Sequence, residues 1–383
     1  MVQAVVMPAP RQPLELRSFA TPQPEDGGVV LRTLGSEVCG TDVHLWHGRL
    51  AGVPYPIIPG HVSVGEVVAL GGEVRDIDGR RLNLGDIVTF LDVWGSCGRC
   101  WYCAVAQATT RCPQRKVYGI TLGAEEGLFG GWSEMISLRP GAHIVSLPPD
   151  LDWSTFLAAG CGLPTALHAV ERGAIRFGDT VVIQGDGPVG LNAALLAQLR
   201  GAGQIILIGG AAVRLAMAQR LGVDQVIDIN QQSEVERLET VYELTGGRGA
   251  DVTIEATGVA AAVAEGMRLT RDAGRFVVVG QYTDAGTTVF HPHYDLNKKH
   301  LDVLGCWGSD ASHLYRGVRV LARYQQSLPW AALISRRYTL QEAQTALEDV
   351  AAQRVVKALI VPGQTTPASA TSGDRHGEQA AHG

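Results

Sequence analysis

The chain has 383 residues, too many for one ordinary domain and suited to two. Its hydrophobic share of 46% and charged share of 18% belong to a globular protein with a sizeable core. The net charge of −6, with no basic run, removes the electrostatic footprint of a nucleic-acid binder, and no apolar stretch is long enough to span a membrane.

Residues 1–150 read as β-rich. Short apolar runs at 29–33, 65–70 and 86–90 are separated by Gly, Pro and Asp turns, without a long helical period. The opening MVQAVVMPAP has neither the charged start nor the long apolar run of a signal peptide, so a cytoplasmic location is expected. Of seven cysteines, four crowd together: Cys97, Cys100, Cys103 and Cys112. In a cytosolic chain such crowding points to metal thiolates rather than disulfides. Four thiolates suit a closed tetrahedral zinc site, which holds a loop and leaves no coordination position open. Cys39 and Cys161 stand apart, with Gly60-His61 between them. A Cys/His/Cys set with one open position is the catalytic type of zinc site. Taken singly, the two cysteines read equally as core thiols and His61 as a turn histidine.

From about 151 the texture changes. Apolar strands at 180–184, 204–208, 225–228, 251–255 and 275–280 alternate with helical patterns from Val189, from Arg214, over 233–245 and from Val259. Such alternation means βαβ units and a parallel sheet. The second unit is therefore expected over 151–287. Residues 288–363 are expected to rejoin the first unit, and the polar, Ala/Thr/Ser/Gly-rich 364–383 to form a disordered tail.

The strand at 180–184 runs into Gly185-Asp186-Gly187-Pro188-Val189-Gly190 and then into an apolar helix. In a dinucleotide-binding turn the first glycine makes the tight bend, the second lets the pyrophosphate approach, and the third lets helix pack on strand. The helix N-terminus then presents free N–H groups to the phosphates. The acid that commonly ends the next strand and binds the ribose diol is absent; Gly209 stands there, followed by Arg214. Arg214 is near enough in sequence to pair with a 2′-phosphate, or it lines the ribose, so NAD(H) and NADP(H) both stay open.

These pieces together resemble the zinc-containing medium-chain alcohol dehydrogenases, the group that includes sorbitol and threonine dehydrogenases. The matching segments are Cys39-Gly-Thr-Asp42-Val-His44, Pro59-Gly60-His61, Gly65-Glu66-Val67, Gly85-Asp86, the four-cysteine loop, Cys161, Gly185–Gly190 and Glu255-Ala-Thr-Gly258. They follow the family's order over roughly 1–363. The resemblance implies an α/β fold: a β-rich, split-barrel (GroES-like) catalytic domain joined to a Rossmann domain with a doubly wound parallel sheet. It implies two zinc ions per chain. Cys39, His61 and Cys161 would hold the catalytic one, and Cys97, Cys100, Cys103 and Cys112 the structural one. Asp42 would orient His61. Thr41 would take the proton of the substrate hydroxyl, and His44 would pass it to solvent by way of the cofactor ribose. The substrate would be a small-molecule alcohol or carbonyl, and the assembly a homodimer or homotetramer. Trp46, Trp94 and Trp307 fall where the resemblance places pocket walls, which suits an apolar alcohol, secondary or cyclic; each reads equally as a core aromatic. Two departures stand out: Val62 replaces the glutamate that usually follows the zinc histidine, and the last spacing of the cysteine loop is eight. A zinc-free reductase of activated double bonds with the same architecture would not need Cys39, His61 and Cys161 together. A catalytically silent Rossmann-type sensor would have no use for Thr41, Asp42 and His44.

Overall fold

Val29–Val38 is buried at eight of its ten positions and forms the spine of the first sheet in the computed structural model, which describes residues 1–363. The tail expected over 364–383 lies outside the described residues. The spine pairs antiparallel with Ser63–Leu70, Met135–Leu138 and Lys357–Ile360. Ile87–Phe90 and Ile144–Ser146 extend this seven-stranded sheet on one side, and Ile334–Tyr338 on the other. Register shifts between Val30 and Leu31 and between Thr33 and Gly35 let one long strand serve several partners, because such irregularities bend a strand and increase its twist. At Gly35 a Cβ would stand 2.7 Å from the Trp153 ring, so the bend needs glycine.

The second sheet is parallel throughout. Its spatial order is Gln225–Asp228, Gln204–Gly209, Thr180–Gln184, Ala250–Glu255, Thr270–Val278, Asp302–Gly305. In chain order that is the 3-2-1-4-5-6 arrangement of a doubly wound sheet, whose order reverses beside its first strand. Val181, Val182, Ile183, Ile205, Ile206 and Leu207 are essentially fully buried, as strands covered on both faces require. Pro188–Leu199, Ala212–Arg220, Glu234–Leu244 and Ala260–Leu269 are the connecting helices.

The chain leaves this sheet later than 287. Asp302–Gly305 pairs with Thr270–Val278 as its sixth strand. As a sheet edge it keeps three of four residues exposed, so it lacks the apolar run that marks the inner strands. Helix Ala311–Tyr324 then packs on Gly162–Arg172, and only the strands from Ile334 onward rejoin the first sheet.

Helix Gly162–Arg172 also packs on Pro188–Leu199, and one apolar cluster runs from Met7 and Leu45 through Leu163 to Val181 and Ile254. Inside it Asn192 donates to the carbonyls of Ala159 at 3.1 Å and Pro188 at 2.8 Å, and accepts from Trp330 Nε1 at 3.0 Å. A polar group in the middle of an apolar helix is thus satisfied and locks three segments together. Among the described residues no helix is long and apolar enough to cross a membrane.

Candidate active site and metal centres

Cys39 follows directly on the spine strand and caps the short helix Gly40–Trp46. Its Sγ accepts from Thr41 N at 3.3 Å, while Asp42 Oδ2 accepts from Cys39 N at 2.9 Å. This reciprocal cap fixes Cys39, Thr41, Asp42 and His44 on one turn of chain. His61 follows a left-handed Gly60 (φ 95°), where a Cβ would strike Ser36 Oγ and Trp132 Cδ1, each at 2.6 Å. The turn brings His61 Nε2 to 3.6 Å from Cys39 Sγ. Cys161 arrives from the start of helix Gly162–Arg172. The three ligand atoms lie within 4.8 Å of one another.

A tetrahedral zinc with the usual bond lengths sets sulfur–nitrogen edges of about 3.5 Å and sulfur–sulfur edges of about 3.8 Å. The Cys39–His61 separation fits the first. Behind His61, Asp42 Oδ1 stands 4.0 Å from Nδ1, and both atoms are buried without a hydrogen-bond partner. That pair is poised to close when the imidazole turns to a metal. Burial opposes ionisation of Cys39, but hydrogen bonding from Cys161 and the His61 imidazole outweigh it and hold the thiol well below its ordinary value. The donor set therefore suits zinc.

The cysteine loop is equally well assembled. Cys100 Sγ lies 3.5 Å from Cys103 Sγ and 4.0 Å from Cys112 Sγ, bracketing the sulfur–sulfur edge, and no disulfide forms. Backbone N–H groups of Arg99 and Cys100 bring Cys97 down to about 6, toward the thiolate a metal needs. Among the described residues no fifth group joins these four, so the set is closed.

Between the Cys39/His61/Cys161 set and the parallel sheet runs a cleft of about 460 Å³. Thr41, His44 and Arg49 line one side, Gly187, Pro188 and Val189 the other, with Leu91, Val93, Ile120 and Leu314 supplying apolar wall. The glycine loop has steric reasons for each glycine. Gly185 is left-handed (φ 115°), Gly187 has open space on its side-chain face, and a Cβ on Gly190 would fall 1.9 Å from Gly185 O. His44 Nδ1 is buried without a hydrogen-bond partner, so it does not touch the Thr41 hydroxyl directly. Burial, and behind it Arg49, lowers the pKa of His44 from 6.5.

Arg214 is placed otherwise than a free phosphate ligand. It is buried, donates from Nε to Val355 O at 3.3 Å, and sets Nη1 3.9 Å from Asp186 Oδ1. The three tryptophans do not line the cleft. Trp46 and Trp94 donate to the carbonyls of Gln12 and Pro140, and Trp307 stacks on Tyr282 and carries Arg111 over its ring. The aromatic walls are Phe90, Phe156 and Tyr282 instead.

Sequence reading also passed over Glu37. It is buried on the spine strand two residues before Cys39. It accepts from Cys161 N at 2.7 Å and Cys161 Sγ at 3.3 Å, and pairs with buried Lys357. A carboxylate thus reaches the metal-ligand set although Val62 follows His61. The signal was an acid and a base, each in an apolar strand where only a paired charge survives.

Residues 25–149 match the family described as alcohol dehydrogenase GroES-like domain, and 188–323 the zinc-binding dehydrogenase family. A 5-exo-hydroxycamphor dehydrogenase of Pseudomonas putida is 35% identical over 339 residues, 88% of this chain and 92% of its own. A sorbitol dehydrogenase of Halalkalibacterium halodurans is 30% identical over 343 residues, 89% and 93% of the two chains. The crystal structure of an alcohol dehydrogenase from Thermotoga maritima is similar at a TM-score of 0.90 and 35% identity, over 94% of this chain and 99% of that one. A GroES-like unit facing a doubly wound sheet across a cysteine- and histidine-lined cleft is the architecture of a metal-dependent dehydrogenase. The chain belongs to the zinc-containing medium-chain alcohol dehydrogenase family. Its chemistry is the zinc- and NAD(P)-dependent interconversion of a small-molecule alcohol and its carbonyl.

Proposed function

We propose that Cys39, His61 and Cys161 hold the catalytic zinc and that Cys97, Cys100, Cys103 and Cys112 hold a structural one. The dinucleotide would lie along Gly185, Gly187, Pro188, Val189 and Gly190, with Gly209 and Arg214 at its adenosine end. One observation carries this reading: an incomplete tetrahedral donor set opens into a cleft whose far wall is the glycine loop. When bound, the metal supplies Lewis acidity toward a hydroxyl or carbonyl oxygen and the nicotinamide accepts or donates the hydride. Asp42 orients His61 from behind. Thr41 Oγ1, two residues from Cys39 and facing the cleft, accepts the proton of the substrate hydroxyl as its own proton moves on. His44 receives that proton and releases it to water; no direct contact joins the two side chains, and the ribose of a bound dinucleotide would supply the hydroxyl between them. The apolar wall of Leu91, Val93, Ile120 and Leu314 and the name of the hydroxycamphor relative support a secondary, cyclic and apolar alcohol.

Elemental analysis of the purified protein is expected to find two zinc ions per chain. A value near one removes one of the two assignments, and none removes both. A panel of cyclic secondary alcohols against short polyols, followed by nicotinamide absorbance, tests the substrate class; equal preference for polyols sinks it.

The relay has a pH signature. His44 acts as a neutral base, and its lowered pKa keeps it neutral further into acid than an ordinary histidine. Wild-type alcohol oxidation should therefore hold to below pH 6.5 and fall only as pH drops through that lowered value. His44→Gln should lose this limb and be slow at neutral pH, with the deficit shrinking in alkali as hydroxide substitutes. Superimposable pH profiles would assign His44 a structural role.

The same reading includes a homodimer or homotetramer, supported by the open outer edge of Asp302–Gly305 with Val303 exposed. It includes a reducing, cytoplasmic setting, supported by seven cysteines that form no disulfide.

A further inference from the structure

We infer that Asp186 selects the cofactor: its carboxylate occupies the place of the acid missing at Gly209 and favours the 2′-hydroxyl of NAD(H) over the 2′-phosphate of NADP(H). The inference rests on the reading of Gly185–Gly190 as the dinucleotide loop.

In a doubly wound sheet the adenosine ribose lies at the carboxyl end of the second strand, and an acid there grips its diol. That end is Gly209 in this chain, the last residue of Gln204–Gly209. The space its side chain would fill is taken. A Cβ built on Gly209 stands 2.6 Å from both Asp186 Cβ and Asp186 Oδ2. The acid has moved across the sheet to the neighbouring turn, and position 209 is glycine because Asp186 leaves room for nothing else.

The carboxylate is held firmly there. Oδ2 accepts from Gly210 N and Ala211 N, both at 2.8 Å, and the residue is 7% exposed. These two amides lead into helix Ala212–Arg220, and they are the donors an incoming 2′-phosphate would use. Asp186 already occupies them. It also engages the cation: Arg214 Nη1 stands 3.9 Å from Oδ1, while its Nε is bound to Val355 O. Oδ1 accepts no hydrogen bond among the described residues, which leaves it free for a ribose hydroxyl. A 2′-phosphate would meet a fixed negative charge, an occupied pair of amides and a neutralised arginine. From sequence alone, glycine followed by arginine leaves the phosphate admissible; the geometry reverses that sign.

The test is direct binding to the zinc-loaded enzyme. NADH and NADPH are titrated by fluorescence, and AMP and adenosine 2′,5′-bisphosphate by calorimetry, so that the 2′-phosphate is read apart from turnover. Wild type should bind NADH at least ~10-fold more tightly than NADPH, and Asp186→Ala should shrink that ratio ~10-fold or more, mainly by strengthening NADPH. Asp186→Asn removes the charge with little change of shape and should move the ratio in the same direction. Arg214→Ala should cost NADPH little in wild type, yet cancel the gain in the Asp186→Ala background. A wild-type preference for NADPH overturns the inference, and so does a ratio unmoved in both Asp186 variants. Failure of wild type to bind either dinucleotide or AMP would instead remove the glycine-loop reading beneath it.

Discussion

Cys39→Ser is expected to abolish alcohol turnover while the protein stays folded and keeps the zinc of its cysteine loop. Serine cannot ionise near neutral pH, so one of three protein donors is lost from a set that has none to spare. The cap is spared, because a serine oxygen accepts from Thr41 N as readily as Sγ does now, and Asp42 still accepts from residue 39 N. The metal is worth several kcal/mol of charge stabilisation, so kcat should fall by ~10³-fold or more. Cys100→Ser should behave in the opposite way. Cys100 Sγ sits within 4.0 Å of two other thiols in a closed site on a loop whose own helix is four residues long. A metal in that set would hold the fold, so the thermal midpoint and yield should drop before kcat per folded molecule does. Elemental analysis, circular dichroism and turnover on the same samples separate the two. Near-normal kcat in Cys39→Ser places the chemistry elsewhere, and loss of both metals in either variant shows that the sites are not independent.

What the sequence revealed was local. Gly185, Gly187 and Gly190 were legible because each answers a short-range steric demand within one strand–turn–helix unit, and the inner strands because burial on both faces leaves a continuous apolar run. The cysteine loop was legible for the same reason: its four thiols are neighbours in the chain. What stayed hidden depends on contacts between distant segments. Glu37 and Lys357 are 320 residues apart, and nothing in either strand names the other. Asp186 sits at a position of the glycine motif that accepts any residue, so its meaning comes only from Gly209 across the sheet. The tryptophans misled because aromatic character says nothing about which face of an element points to the cleft. Asp302–Gly305 was missed because an edge strand need not be apolar.

Lys357→Met should destabilise the protein by about 3–5 kcal/mol, the usual cost of removing one partner of a buried ion pair. Lys357 and Glu37 are each about 1% exposed and bonded to one another. Methionine matches the lysine stem but leaves the Glu37 carboxylate buried without its cation. Burial works against a charged Lys357, yet Glu37 foremost among its neighbours overrides it and raises its pKa above 10.5. A raised lysine pKa means stability that is fully present below the unfolded value and is lost as pH rises through the folded one. The pair should therefore contribute across the whole physiological range and fail only in strong alkali. Glu37→Gln in the Lys357→Met background should recover much of the loss, since a buried pair replaced on both sides no longer strands a charge. The recovered protein should still show altered kinetics. Glu37 Oε2 accepts from Cys161 N while Oε1 faces its Sγ, and a glutamine must set an amide NH2 in one of those two places. Urea midpoints for the single and double variants, with kcat on the same preparations, measure both effects. An unchanged midpoint in Lys357→Met would mean that the buried Glu37–Lys357 contact adds nothing to stability.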